Sequence, residues 1–226
     1  MERKKYAVIL AGGSGVRMGA AVPKQFLEID GKPILRHTVE RFLEYDPKME
    51  ILIVLPSAFK SHWRNYCAEH GFLERYTMPT GGLTRFHSVQ NALKYVPEGA
   101  LVAVHDGVRP CLSAEFLAGL FSRMDRCEAL VPVVPVEESL REVEGSSSFA
   151  VDRSRYVRVQ TPQVFRSEIL KAAYSQAYNP SFTDDASVVE ATGCRITLCE
   201  GLRENIKITT PADMLTARIF LEKQGR

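Results

Sequence analysis

The stretch Tyr6-Ala7-Val8-Ile9-Leu10-Ala11-Gly12-Gly13-Ser14-Gly15-Val16-Arg17-Met18-Gly19 decides the fold class. An unbroken apolar run that stops at paired glycines reads as a strand buried on both faces and ending in a tight turn. The same figure returns downstream, with apolar runs at Ile51 to Leu55, Leu101 to Val104 and Leu130 to Val134. Between the runs, apolar residues recur at helical spacing: Leu35, Val39, Phe42 and Leu43; then Val89, Ala92, Leu93 and Val96; then Leu117, Leu120, Phe121 and Met124. Buried strands alternating with one-sided helices predict an α/β fold with a mainly parallel sheet. Thr210-Pro211-Ala212-Asp213 predicts the start of a last helix, with a hydroxyl cap, proline at the first helical position and an acid in the first turn.

One segment breaks this rhythm. Residues 137–149, EESLREVEGSSSF, are charged and serine-rich, and the alternating stretch Arg155-Tyr156-Val157-Arg158-Val159 follows. A long polar connection beside strand alternation predicts a protruding β-arm at about 137–158 on a single domain spanning 1–226. The 29 basic and 27 acidic residues leave a net charge of +2, which argues against a polyanion surface and hence against nucleic acid as a partner. Five cysteines without a C-x-x-C pair read as free thiols in a reducing, cytoplasmic setting. No run approaches the roughly 18 apolar residues of a membrane span, and the apolar stretch after the basic head is too short for a secretory leader.

Three motifs can carry chemistry. The first is the glycine loop itself with Pro23-Lys24-Gln25 behind it: Ala11, Gly12, Gly13 and Gly15 let backbone N–H groups converge on phosphate oxygens, while Arg17 and Lys24 supply charge. No G-K-[ST] follows, and Met18 stands where the dinucleotide fingerprint requires glycine, so neither a Walker loop nor a standard dinucleotide site fits. A plain strand-to-helix turn with two surface cations is the competing reading. The second motif, Val104-His105-Asp106-Gly107-Val108-Arg109-Pro110, puts Asp106 at the carboxyl end of a strand, where α/β sheets bind ligands and a lone carboxylate can share Mg²⁺ or another divalent cation with phosphates. An Asx turn accounts for Asp106 equally simply. Alternation turns His105 to the opposite face, as a core or supporting residue. The third, Gly81-Gly82-Leu83-Thr84-Arg85-Phe86-His87-Ser88, opens a helix near Arg85 and suits a flat base and an anion, or merely a tight helix entry. Further on, Gln160-Thr161-Pro162-Gln163, Thr183-Asp184-Asp185-Ala186-Ser187 and Asn205-Ile206-Lys207, with Arg153 and Arg158, offer hydroxyls and cations for a phosphorylated polyol; Thr183 is equally placed to cap a helix through Val188 and Val189.

In this order and at these distances, LAGGSGVRMG, PKQF, GGLTRFHSV, VHDGVRPCL, VQTPQVF, TDDASVVE and NIKITTPADM resemble the 2-C-methyl-D-erythritol 4-phosphate cytidylyltransferase family, over nearly the whole chain. Departures fall at Leu10 and Leu83, where proline and aspartate are frequent. The resemblance implies a Rossmann-like nucleotidyltransferase (GT-A-like) core and a homodimer in which each arm enters the partner's site. It further implies Mg²⁺-dependent transfer of CMP from CTP to 2-C-methyl-D-erythritol 4-phosphate, with release of pyrophosphate. By the same resemblance, Ala11, Gly12, Gly13, Gly15, Arg17 and Lys24 hold the triphosphate, Gly82 and Ser88 the cytidine, and Asp106 the metal. Arg109, Ser139, Arg153, Thr161, Thr183 and Lys207 meet the sugar phosphate, with Arg17, Lys24 and Lys207 the catalytic cations. Three alternatives stay open: a ribitol 5-phosphate cytidylyltransferase, an NAD(P)-dependent oxidoreductase, and a non-catalytic nucleotide-binding regulator.

Overall fold

The structure, a computed structural model, describes residues 3–13, 22–72 and 75–224. Strand β1 (Lys5–Leu10) leads through a short 3₁₀ turn (Lys24–Phe26) and the two-residue strands β2 (Glu28–Ile29) and β3 (Lys32–Pro33) into helix α1 (Ile34–Tyr45). Then come β4 (Glu50–Val54), α2 (Ser57–Glu69), β5 (Tyr76–Thr77), α3 (Arg85–Leu93), β6 (Leu101–Asp106), α4 (Ala114–Arg123) and β7 (Ala129–Pro135). The hairpin β8 (Arg141–Glu144) and β9 (Ser147–Ala150) follows, then β10 (Val157–Val159), β11 (Gln163–Arg166), α5 (Ser167–Ala173), α6 (Asp185–Glu190), β12 (Thr197–Glu200) and α7 (Pro211–Gln224).

The four apolar runs are β1, β4, β6 and β7, as the sequence predicts. Strands β6, β1, β4 and β5 pair side by side in parallel, and β12 runs parallel to β7, so the sheet is mainly parallel. An antiparallel strand, β11, lies between β6 and β7. Alternation divides the core into two layers. Ala7 and Ile9 pack with Leu35, Val39 and Phe42 of α1, Trp63 of α2 and Leu117 of α4. Tyr6 and Val8 pack on the other face with Val89 and Leu93 of α3, Leu170 of α5 and Val188 of α6. At roughly 25 cal/mol per Å² of apolar area removed from water, these two layers are the main stabilising term. Helix α7 adds a third cluster through Ala217 and Leu221 against Ile29, Val108 and Ile208, and Asp213 closes its first turn by accepting the N–H groups of Thr209 and Thr210.

The arm is shorter than expected. Only the hairpin 141–150 stands off, with all eight strand residues exposed and Gly145, at φ 58°, opening its two-residue turn. Val157–Val159 is instead a strand of the main sheet, antiparallel to β7 at Val133 to Pro135. Alternation identifies a strand but carries no information about which strand it will pair with.

Candidate functional site

Register puts Leu10 opposite both Val54 and Asp106, so the carboxyl ends of β1, β4 and β6 share one edge of the sheet. A cavity of about 430 Å³ opens there. One wall is the first loop, Ala11 to Gly13 with Lys24 behind it; the opposite wall is Gly81 to Arg85; Asp106 and Lys207 close the floor. Ala11 is pinned on both sides of its peptide unit: its N–H donates to the Val54 carbonyl at 3.0 Å, and its own carbonyl accepts from the buried Gln25 amide at 2.7 Å. A Cβ on Gly12 would meet nothing within 4 Å, so glycine there keeps backbone open to the cavity instead of relieving a clash. Lys24 Nζ donates to the Ile208 carbonyl at 3.0 Å, which ties this wall to the segment carrying Lys207. Gly15 and Arg17 lie outside the described residues.

Asp106 gathers the charge. Its Oδ2 is 3.0 Å from Lys207 Nζ and 3.2 Å from Arg109 Nε, and Arg109 also donates to the Asn205 carbonyl at 2.9 Å. Burial disfavours the carboxylate, but Lys207, Arg85 and Arg109 outweigh it and hold Asp106 far below the usual carboxylate range. A permanently ionised oxygen with cations around it presents a mixed-sign floor to an incoming anion. Among the described residues there is no group of three or more His, Cys, Asp or Glu that could hold a metal ion. The donor chemistry nevertheless fits Mg²⁺, which is ordinarily bound by one or two carboxylates with substrate phosphates and waters completing the shell.

The far wall depends on a glycine. A Cβ built on Gly82 would sit 2.4 Å from His87 Cβ and 2.8 Å from the His87 backbone carbon. The turn can close this tightly because Gly82 N–H donates to Ser88 Oγ at 3.0 Å while that hydroxyl donates to the Thr84 carbonyl. Thr84 caps α3 as a helix entry requires. Leu83, 97% exposed, stands at the rim.

Sequence reasoning missed what stands behind Arg85. Arg85 lines the cavity, and its guanidinium forks onto Asp185, NH1 to Oδ1 at 2.7 Å and NH2 to Oδ2 at 2.5 Å, while the Tyr174 hydroxyl donates to the same carboxylate at 2.6 Å. Asp185 is fully buried. The only sequence signal was the doubled acid Asp184-Asp185, of which Asp184, not Thr183, caps α6 and accepts from Gln163. The pair divides two tasks, the cap and the guanidinium clamp.

Of the expected polyol phosphate residues, Arg109, Thr161 and Lys207 meet at Asp106, and the other three do not join them within one chain. Ser139, Arg153 and Thr183 are exposed and line no part of the cavity, and Arg153 donates to the Glu137 carbonyl. Thr161 already has partners in the chain: its buried hydroxyl accepts the Asp106 N–H at 3.0 Å and lies 3.0 Å from His105 Nδ1. His105 is wholly buried on the face away from the cavity, as alternation predicted.

A mainly parallel α/β sheet whose strand ends carry an open glycine loop, a cation-bound aspartate and a glycine-tight helix entry is the arrangement of a nucleotidyltransferase. The family model for 2-C-methyl-D-erythritol 4-phosphate cytidylyltransferase matches residues 6–223, and the chain belongs to that family. Proteins of this name from Bacteroides fragilis and Porphyromonas gingivalis W83 are 50% and 49% identical to it, over 95% and 98% of this chain and 98% and 99% of theirs. The solved structure of 2-C-methyl-D-erythritol 4-phosphate cytidylyltransferase from Francisella tularensis aligns with TM-score 0.80 at 28% identity, covering 96% of this chain and 99% of that one. That of the Thermus thermophilus protein of the same name aligns at 0.74 and 30%, covering 95% and 98%.

Proposed function

We propose that the chain transfers CMP from CTP to 2-C-methyl-D-erythritol 4-phosphate, giving 4-diphosphocytidyl-2-C-methyl-D-erythritol and pyrophosphate. The observation that carries the reading is the single cavity lined by Ala11 to Gly13, Lys24, Gly82, Ser88, Asp106 and Lys207. Family membership supports this acceptor over ribitol 5-phosphate and this chemistry over hydride transfer.

A phosphate monoester oxygen of the acceptor attacks the α-phosphorus of CTP, a new P–O bond forms, and the bond to the bridging oxygen breaks so that pyrophosphate leaves with the electron pair. The acceptor's second pKa is about 6, so the nucleophile is already ionised at neutral pH and needs no strong base. The difficulty is electrostatic, because two anions must meet and charge builds on the leaving oxygen. Lys24 and Lys207, with Arg17, offset that charge; Gly12, Gly13 and Gly15 let backbone N–H groups approach the triphosphate. Gly82 and Ser88 shape the cytosine wall, and Arg109 orders Lys207's carboxylate partner. Asp106 would hold Mg²⁺, which when bound supplies further neutralisation of the phosphates.

Ser139 and Arg153, which flank the hairpin, serve the acceptor phosphate by way of a homodimer in which each arm reaches the partner's cavity, and Thr183, just before α6, joins them there. The hairpin's Val143 and Phe149, on opposite faces of the ribbon, are 73% and 56% exposed, and Val157 and Val159, which share a face of β10, are 44% and 44% exposed, apolar side chains that a second copy would cover. Five free cysteines support a reducing compartment such as the cytoplasm. Among the described residues no helix is long and apolar enough to cross a membrane. The test is pyrophosphate release from CTP with each polyol phosphate: release with methylerythritol phosphate and not with ribitol phosphate is expected, and the converse refutes the acceptor.

A further inference from the structure

The turn after β6 is held from behind by a chain of hydrogen bonds whose direction can be worked out. His105 Nε2 lies 3.0 Å from the Arg109 carbonyl oxygen. A carbonyl only accepts, so Nε2 carries the hydrogen. The imidazole is fully buried, which disfavours a charged ring. Nδ1 is then a lone pair that must accept, and the group facing it at 3.0 Å is the Thr161 hydroxyl, which becomes the donor. The oxygen of that hydroxyl accepts the Asp106 backbone N–H at 3.0 Å. One sense runs throughout: Asp106 N–H to Thr161, Thr161 O–H to His105 Nδ1, His105 Nε2–H to Arg109.

The ring thus spans the 106–109 turn from the inside. The backbone closes the same turn, Arg109 N–H to the Asp106 carbonyl at 3.1 Å, and the Arg109 side chain returns to the Asp106 carboxylate. The anchors on either side are buried: Asn205 Nδ2 donates to the Thr161 carbonyl at 2.8 Å, and Phe42 meets the His105 ring edge-on at 5.3 Å. A hydroxyl that donates to an imidazole has no second proton for a phosphate.

We propose that His105 and Thr161 are positioning residues for cytidylyl transfer, holding Asp106 and Arg109 in fixed relation, with the Thr161 hydroxyl proton committed to His105 and not to the acceptor's phosphate. The proposal rests on the activity inferred above. The link is tested first on the wild-type protein by ¹⁵N–¹H correlation spectra of the histidine rings: His105 is expected as the Nε2-protonated tautomer, and an Nδ1-protonated ring overturns the link with no variant needed. Thr161→Val then removes the hydroxyl at constant shape. Its Asp106 amide should exchange faster with solvent, its His105 Nδ1 resonance should move, and kcat should fall about tenfold or more, because both buried hydrogen bonds of the hydroxyl are lost, at unchanged KM for methylerythritol phosphate. Thr161→Ser should recover most of that loss. A raised KM with unchanged kcat and unchanged Asp106 amide exchange makes Thr161 a substrate ligand and sinks the proposal. A wild type that releases no pyrophosphate strikes the activity alone, since the tautomer and the amide exchange still decide the link.

Discussion

Replacing Asp185 by asparagine tests whether the buried fork behind the cavity organises it. Asp185 is completely buried and accepts three hydrogen bonds, two from Arg85 and one from Tyr174. Asparagine keeps the shape but turns one oxygen into an NH₂ group. Placed at Oδ2 it faces Arg85 NH2 donor to donor; placed at Oδ1 it forfeits two bonds. Either way the guanidinium loses its counter-charge. Burial disfavours that cation, and in the wild type Asp185 more than offsets the penalty, raising the Arg85 pKa. Breaking a buried pair from one side costs about 3–5 kcal/mol, and the 30% exposure of the Arg85 side chain argues for the lower end, about 3 kcal/mol after solvent screening. For a domain of this size roughly 2–4 °C is lost per kcal/mol, so Tm should drop by about 6–12 °C. Calorimetry on the wild type, Asp185→Asn, Arg85→Met and the double variant closes a cycle. The double variant should be more stable than the sum of the single losses predicts, because neither charge is left alone. A drop under about 2 °C for Asp185→Asn, or strict additivity in the cycle, would refute the reasoning.

Gly82→Ala places its Cβ 2.4 Å from His87 Cβ and must displace the entry to α3, at about 1–3 kcal/mol of stability; KM for CTP should rise while KM for the acceptor stays unchanged in steady-state assays. Asp106 carries a lowered carboxyl pKa in the folded chain, so its ionised form stabilises the fold above the ordinary value of 3.8 and that contribution fades as pH falls through the lower folded value. The stability gap between wild type and Asp106→Asn in urea titrations should therefore be full at neutral pH and shrink below pH 3.8; a gap that grows on acidification contradicts the assigned charge. Lys24→Ala should lose about 3 kcal/mol of transition-state stabilisation with Tm near wild type. Mixed with Arg153→Ala subunits it should regain activity at one of two sites, and exchanged dimers that stay inactive would rule out shared sites.

Much of this was legible before any coordinates. Strands buried on both faces leave continuous apolar runs, so β1, β4, β6 and β7 could be read directly, and the helix beginning near Arg85 followed from the spacing of Val89, Ala92, Leu93 and Val96. The arm was legible only as polar chain. Its outer limit was misplaced because period-two alternation marks Val157 to Val159 as a strand without naming β7 as its partner. Asp185 was visible as one of two acids, but not as the residue that grips a guanidinium 100 positions away.

The sequence by itself determined the four buried strands, the loop of glycines, the acid at the end of β6 and the family, because burial, backbone freedom and motif spacing are local properties that survive along the chain. Only the tertiary structure decided which polar groups are ligands and which are supports. Thr161 is polar in either role; its place between Asp106 N–H and His105 Nδ1 turns a hydroxyl that could face a phosphate into one that braces a carboxylate. Hydrogen bonds act only at about 3 Å with the right direction, and no spacing along a chain encodes which groups meet at that distance.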